Sequence, residues 1–164
     1  DILKQKIDEL HKEKDKKEFN QYLREMILPE FFERKNDLHT QIECIDYMYQ
    51  KFKNKGYVNT SFKEEVLERE RISSTAFGNF AIPHAMKMYA NKTGINIIIS
   101  DQPIQWSDKS VNLVIMMCFN KNERYMFNEI YEPITMILFE SENVKKILTS
   151  KDYDEFIQNL VDLL

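Results

Sequence analysis

Apolar residues near the start of the chain recur at helical spacing on either side of a charged block. Leu3, Ile7 and Leu10 share one helix face, and the apolar spacing resumes after HKEKDKKE at residues 11–18. Such a block of mixed charge is typical of a solvated helix or a linker. We interpret residues 1–28 as a helical connector from a preceding domain. A short dimerising helix is the alternative.

The next two apolar patterns also have helical spacing. One predicts a helix from about residue 40 to residue 54, which Gly56 is placed to end. The other predicts a shorter helix that begins at Ser61, where Glu64 stands at the spacing of a capping box. Residues 69–79 follow and are interpreted as a turn-rich segment.

The pattern then changes to that of strands. Two apolar segments at residues 94–100 and 103–106 precede turn residues at 107–109, and a long apolar run follows at 111–119. Because this last run is apolar at nearly every position, we expect its strand to be covered on both faces.

Helical spacing returns from Asn122, and Pro133 inside that pattern predicts a kink. Two final helices are predicted at about 141–149 and 152–163. Two helices, a group of strands and then more helices predict an α/β (α+β) sandwich.

Composition narrows the classes of function. The chain has 164 residues, and its 23 Lys and Arg against 27 Asp and Glu give a net charge of −4. No general basic surface is available for phosphates, so we expect no direct nucleic-acid contact. No apolar run is long enough to span a membrane, so no membrane insertion is expected. The chain opens with Asp1 and shows no signal peptide, which we interpret as a piece of a longer, cytoplasmic protein.

The residue types that bind metals are scattered. His11, His39 and His84 lie far apart, and Cys44 and Cys118 have no partner at ligand spacing. We expect two buried free thiols, two surface histidines and no metal. No Walker loop, dinucleotide motif or GxSxG motif is present, and no cofactor is expected.

The segment FGNFAIPHA at residues 77–85 stands out in a chain with three glycines. A turn with free backbone N–H groups beside His84 could hold a phosphoryl group on the imidazole, with Arg69 or Arg71 neutralising its charge. The alternative is a core histidine packed under the turn. The residues themselves leave both possibilities open.

A wider motif surrounds this histidine and consists of Arg69-Glu70, Ser74-Thr75, Gly78-Asn79 and Ala81-Ile82-Pro83-His84. This motif resembles the mannitol/fructose class of phosphotransferase-system (PTS) enzyme IIA domains. The sequence around it is similar to the IIA-like modules at the end of BglG/LicR-type transcriptional regulators with PTS regulation domains.

The resemblance implies a fold and a set of roles. Residues 29–164 would form the IIA type-2-like domain, a small mixed β-sheet flanked by helices, with His84 at the sheet edge as phosphoryl acceptor. Arg69 would stabilise the phosphoryl oxygens, and Glu70 would orient Arg69 or the ring. Four further residues would bind the phosphoryl group: Ser74, Thr75, Gly78 and Asn79.

The resemblance also implies partners. Phosphorylated HPr would supply the phosphoryl group, and neighbouring regulator domains would respond to it in tuning sugar-uptake genes. Transport members of the class usually carry a second histidine in the helix after the central strands, where this chain has Phe127 near the expected position. One alternative is a transport IIA that relays phosphate to a cysteine of a IIB partner. Another is a non-catalytic interaction module. A homodimer is also possible.

Overall fold

A mixed five-stranded sheet lies at the centre of the structure, a computed structural model that describes residues 1–164. Its strands are β1 (Phe32–Arg34), β2 (Ala76–Phe77), β3 (Phe80–Ala81), β4 (Tyr89–Trp106) and β5 (Lys109–Asn120). The strand order is β1-β4-β5-β3-β2; β1 pairs with β4 and β3 with β5 in parallel, whereas β4–β5 and β2–β3 are antiparallel. The predicted mixed sheet flanked by helices is therefore confirmed.

The long hairpin of β4 and β5 forms the middle of this sheet. Ile97 faces Ile115 across the pair, and Trp106 faces Lys109 beside the turn. The two predicted segments at 94–100 and 103–106 belong to one strand, with a register irregularity between Ile99 and Ile104. Every residue of β5 from 113 to 119 is buried, as expected for a strand covered on both faces.

Seven helices surround the sheet and most turn an apolar face inward, whereas Leu3, Ile7 and Leu10 of the predicted N-terminal face are exposed. The N-terminal capping differs from the prediction. Ser61 makes no side-chain capping bond, whereas Thr40 accepts from the Glu43 N–H at 3.2 Å and donates to its carboxylate. The helices are α1 (Ile2–Met26), α2 (Gln41–Asn54), α3 (Phe62–Ile72), α4 (Arg124–Met126), α5 (Glu132–Leu138), α6 (Ser141–Leu148) and α7 (Tyr153–Asp162).

Helix α1 is continuous through the charged block at residues 11–18. Its last two turns pack on the domain: Leu23 is fully buried, and Arg24 forms an ion pair of 3.0 Å with Asp154 of α7. Its first turns are solvated, and the Leu10 side chain is 63% exposed. The boundary between a connector and a domain stays a prediction. No helix of the structure is both long and apolar enough to cross a membrane.

A widened π turn, Phe127–Tyr131, separates α4 from α5. Pro133 lies just after it, in the first turn of α5, and cannot donate a hydrogen bond to the preceding turn. The irregularity predicted at Pro133 is therefore present as a widened turn that precedes the proline.

Candidate functional site

His84 lies at an edge of the sheet, just beyond the short strand β3. The chain continues along β5 after Ala81, and the Pro83 carbonyl accepts from the Met117 N–H at 3.1 Å. Strand β2 covers only the first part of this edge, because its paired residues end at Ala76 opposite Ala81. The sheet therefore presents His84 at an edge that β2 leaves uncovered, as expected.

The imidazole ring of His84 is held by the backbone two residues before it. Its Nδ1 atom lies 2.8 Å from the Ile82 carbonyl oxygen. Since a carbonyl can only accept, Nδ1 carries the proton in this arrangement and Nε2 keeps a free lone pair. The site therefore offers a neutral nitrogen nucleophile in a defined orientation.

The surroundings of the ring favour its neutral form. Burial lowers the pKa of His84 below 6.5, and the positive charge of Arg69 lowers it further. The hydrogen bond to Ile82 and the negative charge of Glu70 oppose this change. The balance keeps Nε2 unprotonated at neutral pH.

Helix α3 brings both predicted charged residues towards His84. Residues 69–72, predicted as part of a turn-rich segment, form the last turn of this helix, and the extended segment begins only at Ser73. Arg69 donates a hydrogen bond of 2.6 Å from Nη1 to the Ser73 carbonyl. The guanidinium group is therefore held at the junction of helix and sheet edge, with donors left for an anion.

Glu70 has a role that the sequence did not reveal. Its buried carboxylate accepts from Trp106 Nε1 at 2.9 Å and from Gln41 Nε2 at 3.1 Å. It also accepts from both the N–H and the hydroxyl of Thr75. These bonds do not include Arg69 or the ring of His84, so the predicted orienting role is not what the hydrogen bonding shows. Glu70 instead ties the start of the β2 segment to the core.

Ser74 and Thr75 lead into β2, next to the edge that carries the histidine segment. They directly precede Ala76, the first residue of β2, which lies opposite Ala81. Ser74 Oγ accepts from the Ala76 N–H at 3.1 Å, which leaves its own proton free to donate. The Thr75 hydroxyl proton is directed to Glu70. Ser74 is therefore the better placed hydroxyl donor of the two.

Gly78 and Asn79 do not lie beside His84. They form the two-residue turn between β2 and β3, in which Gly78 has a φ of 57°. His84 follows Asn79 by five residues and Gly78 by six, which corresponds to about 16 Å or more of extended chain. Asn79 Oδ1 accepts from the Asn112 N–H at 2.8 Å and so ties the turn to β5. Both residues thus have a structural role in the turn, and their place in a phosphoryl cradle stays a prediction.

Aromatic side chains form one wall of the site; the sequence singled out Phe127 only as the position of a missing second histidine, and did not point to Tyr131. The Tyr131 ring meets the His84 ring edge to face, with centroids 5.9 Å apart at 71°. Phe127 stacks on Tyr131 at 4.5 Å, and Phe119 of β5 lies 5.2 Å from Phe127. The spacing of Phe127 and Tyr131, four residues apart on a helix, is the signal that could have indicated a shared face.

No group of three or more His, Cys, Asp or Glu side chains lies close enough together to hold a metal ion. The groups that the site itself supplies are a neutral imidazole, a guanidinium group, a serine hydroxyl and backbone N–H groups.

Comparison with known proteins identifies the class. Residues 25–162 match the sequence model of the family described as phosphoenolpyruvate-dependent sugar phosphotransferase system, EIIA 2. The chain belongs to this family.

Two relatives and one solved structure are similar to it. The probable licABCH operon regulator of Bacillus subtilis is 27% identical over 142 residues, which cover 86% of this chain but only 22% of the regulator. The mannitol-specific phosphotransferase enzyme IIA component of Geobacillus stearothermophilus is 30% identical over 131 residues, covering 75% of this chain and 89% of that protein. The Escherichia coli complex of enzyme IIAMtl and phosphorylated enzyme IIBMtl contains a chain with a TM-score of 0.67 at 20% identity, covering 80% and 93% of the two chains.

Proposed function

We propose that this chain is the EIIA-type domain of a transcriptional regulator and that Nε2 of His84 accepts a phosphoryl group from phosphorylated HPr. The observation that carries the proposal is the hydrogen bond from His84 Nδ1 to the Ile82 carbonyl. It leaves Nε2 as a neutral nucleophile at an exposed sheet edge, which is what in-line attack on phosphorus needs.

The transfer is balanced by one bond formed and one broken. A bond forms between His84 Nε2 and phosphorus, while the bond between phosphorus and the donor nitrogen of HPr breaks and its electron pair returns to that nitrogen. The proton stays bonded to His84 Nδ1, which continues to donate it to the Ile82 carbonyl. Arg69 and the Ser74 hydroxyl donate to the phosphoryl oxygens as charge develops on them.

The regulatory role is supported by the relatives and by the site. The chain is similar to about a fifth of a regulator, as expected of one domain within it. The only histidine side chain in the site is His84, and its ring neighbour is Tyr131. Phosphorylation adds close to two negative charges at this edge, which changes its contacts with neighbouring domains.

A transport role is the second candidate. The chain covers most of the length of a mannitol-specific IIA component, and the solved complex pairs such a protein with a phosphorylated IIB. In that role His84 would pass its phosphoryl group on to a IIB partner.

A phosphotransfer assay tests the proposal. The chain is incubated with phosphoenolpyruvate, the general PTS enzyme and HPr, and acid-labile phosphohistidine is measured. We expect labelling of the unmodified chain and of His39→Ala, whose histidine is exposed, and none of His84→Ala. Label that persists in His84→Ala would exclude His84 as the acceptor. Steady transfer to a mannitol-specific IIB, at the rate of the Geobacillus protein, would favour the transport role.

A further inference from the structure

The His84 ring has only one hydrogen bond to hold it. The bond to Ile82 sets the position of Nδ1, but it allows the ring to rock about this contact. A half-buried imidazole at a sheet edge therefore needs a second contact if Nε2 is to point steadily towards a donor.

Tyr131 supplies a second contact with the His84 ring. The two rings meet edge to face with centroids 5.9 Å apart, within the range at which aromatic pairs attract one another. The contact is made by the ring of Tyr131, so phenylalanine at the same position would preserve it.

Tyr131 is itself held from behind. Phe127 stacks against it with an interplanar angle of 11° and a centroid distance of 4.5 Å. Phe119 supports Phe127 and belongs to the buried part of β5, the strand along which the His84 segment runs. The ring of Tyr131 is thus connected to the same rigid strand that positions His84.

The π turn places both Phe127 and Tyr131 in this arrangement. Tyr131 is the last residue of the widened turn Phe127–Tyr131, and Phe127 is the first. A turn of this kind is rare and often occurs at functional sites, because it changes the direction of side chains along a helix. Here both ends of the turn contribute a ring to the wall beside His84.

We propose that Tyr131 is a positioning residue for His84: its ring and the Ile82 carbonyl together hold the imidazole with Nε2 directed out of the site. The inference rests on the proposed function, since it concerns the same phosphoryl acceptor. Tyr131 acts through His84 and takes no part in bond making.

The test compares three single variants of the full chain. Tyr131→Phe keeps the ring, Tyr131→Leu removes it, and Tyr125→Leu removes an exposed tyrosine from the preceding turn as the matched control. If Tyr131→Leu does not fold, Tyr131→Met serves instead as a flexible side chain of similar size. Folding is checked by circular dichroism before either measurement.

Two readouts are taken. The first is the tautomer of His84, observed by NMR of 15N-histidine-labelled protein without any donor. The second is the initial rate of phosphorylation by phosphorylated HPr. We expect Tyr131→Leu to mix the two His84 tautomers and to lower the rate about 3- to 10-fold, in line with the strength of one aromatic pair. Tyr131→Phe and Tyr125→Leu should stay within about 2-fold of the unmodified chain.

The outcomes separate the two hypotheses. Unchanged tautomers in Tyr131→Leu overturn the positioning role, whether or not the rate falls, and so does a Tyr131→Phe variant as defective as Tyr131→Leu. If the unmodified chain is never phosphorylated while Tyr131→Leu still alters the tautomers, the proposed function fails and the positioning role stands.

Discussion

The Ile82 carbonyl accepts a hydrogen bond of 2.8 Å from His84 Nδ1, so the residue two positions before the histidine decides which nitrogen is free. Pro83 between them restricts the backbone because its ring fixes φ. This short sequence thus provides the hydrogen bond that favours one tautomer, and the ring of Tyr131 is the second contact made with the imidazole.

The first prediction concerns the titration of His84. Burial and Arg69 lower its pKa, so an NMR titration should place it below the value measured for a short peptide of sequence IPHAM. At a pH between the lower folded-state pKa and the higher peptide pKa, His84 binds more protons in the unfolded chain than in the folded one. The free energy of unfolding should therefore fall as the pH drops through this range. In His84→Gln, the contribution of His84 to this fall should be absent. A His84 pKa above that of the peptide would contradict the arrangement.

Arg69 should matter for the rate more than for the fold. It lies at the junction of α3 and the β2 segment and donates to the Ser73 carbonyl. Arg69→Gln removes a cation from the developing phosphoryl charge, and we expect phosphorylation to slow by about 10- to 100-fold. Arg71→Gln is the control, because Arg71 is exposed on the same helix and pairs with Glu68. Equal rates for the two variants would exclude Arg69 from the site.

Glu70 should matter for stability. Glu70→Ala leaves buried donors of Trp106, Gln41 and Thr75 without their acceptor. We expect the free energy of unfolding, measured with urea, to fall by about 3 kcal/mol. Glu64→Ala, on the exposed face of the same helix, should change it by less than about 0.5 kcal/mol. A similar small effect for both variants would show that the Glu70 network contributes little.

The sequence predicted the architecture well because the central strands carry an unambiguous signal. The apolar run in β5 could only be a strand covered on both faces, and its neighbours followed from the turn at residues 107–109. The capping box was predicted at Ser61 and Glu64 from their spacing alone. Spacing does not show whether the backbone conformation at Ser61 lets its side chain reach the N–H groups of the first turn. The side-chain capping bond is found at Thr40 instead.

The candidate site was predicted in part, and what was missed depends on three-dimensional packing. His84 and Arg69 follow from the motif. The roles of Glu70 and Gly78 do not, because strand register decides which neighbours a motif residue meets: it carries the turn at Gly78 away from His84. Tyr131 is distant in sequence from the motif, and only the packing of the π turn against β5 brings its ring to His84.

A substitution at Gly78 therefore tests whether the β2–β3 register keeps this turn away from His84. The Gly78 φ of 57° is strained for any residue with a Cβ, although no atom lies within 4 Å of where that Cβ would be. Gly78→Ala should lower the free energy of unfolding by about 1 kcal/mol. The phosphorylation rate should be unchanged at a temperature where the variant is folded. Loss of phosphorylation in a folded variant would return the turn to the phosphoryl site.

The two halves of α1 should respond differently to the same substitution. Leu23 is fully buried against the domain, so Leu23→Ala should lower the free energy of unfolding by about 3 kcal/mol through lost burial and a residual cavity. Leu10 is 63% exposed, and Leu10→Ala should change it by less than about 0.5 kcal/mol. Both are measured by urea denaturation at two protein concentrations. A large, concentration-dependent effect of Leu10→Ala would show instead that this half of α1 pairs with a second copy of the chain, because only an association responds to concentration.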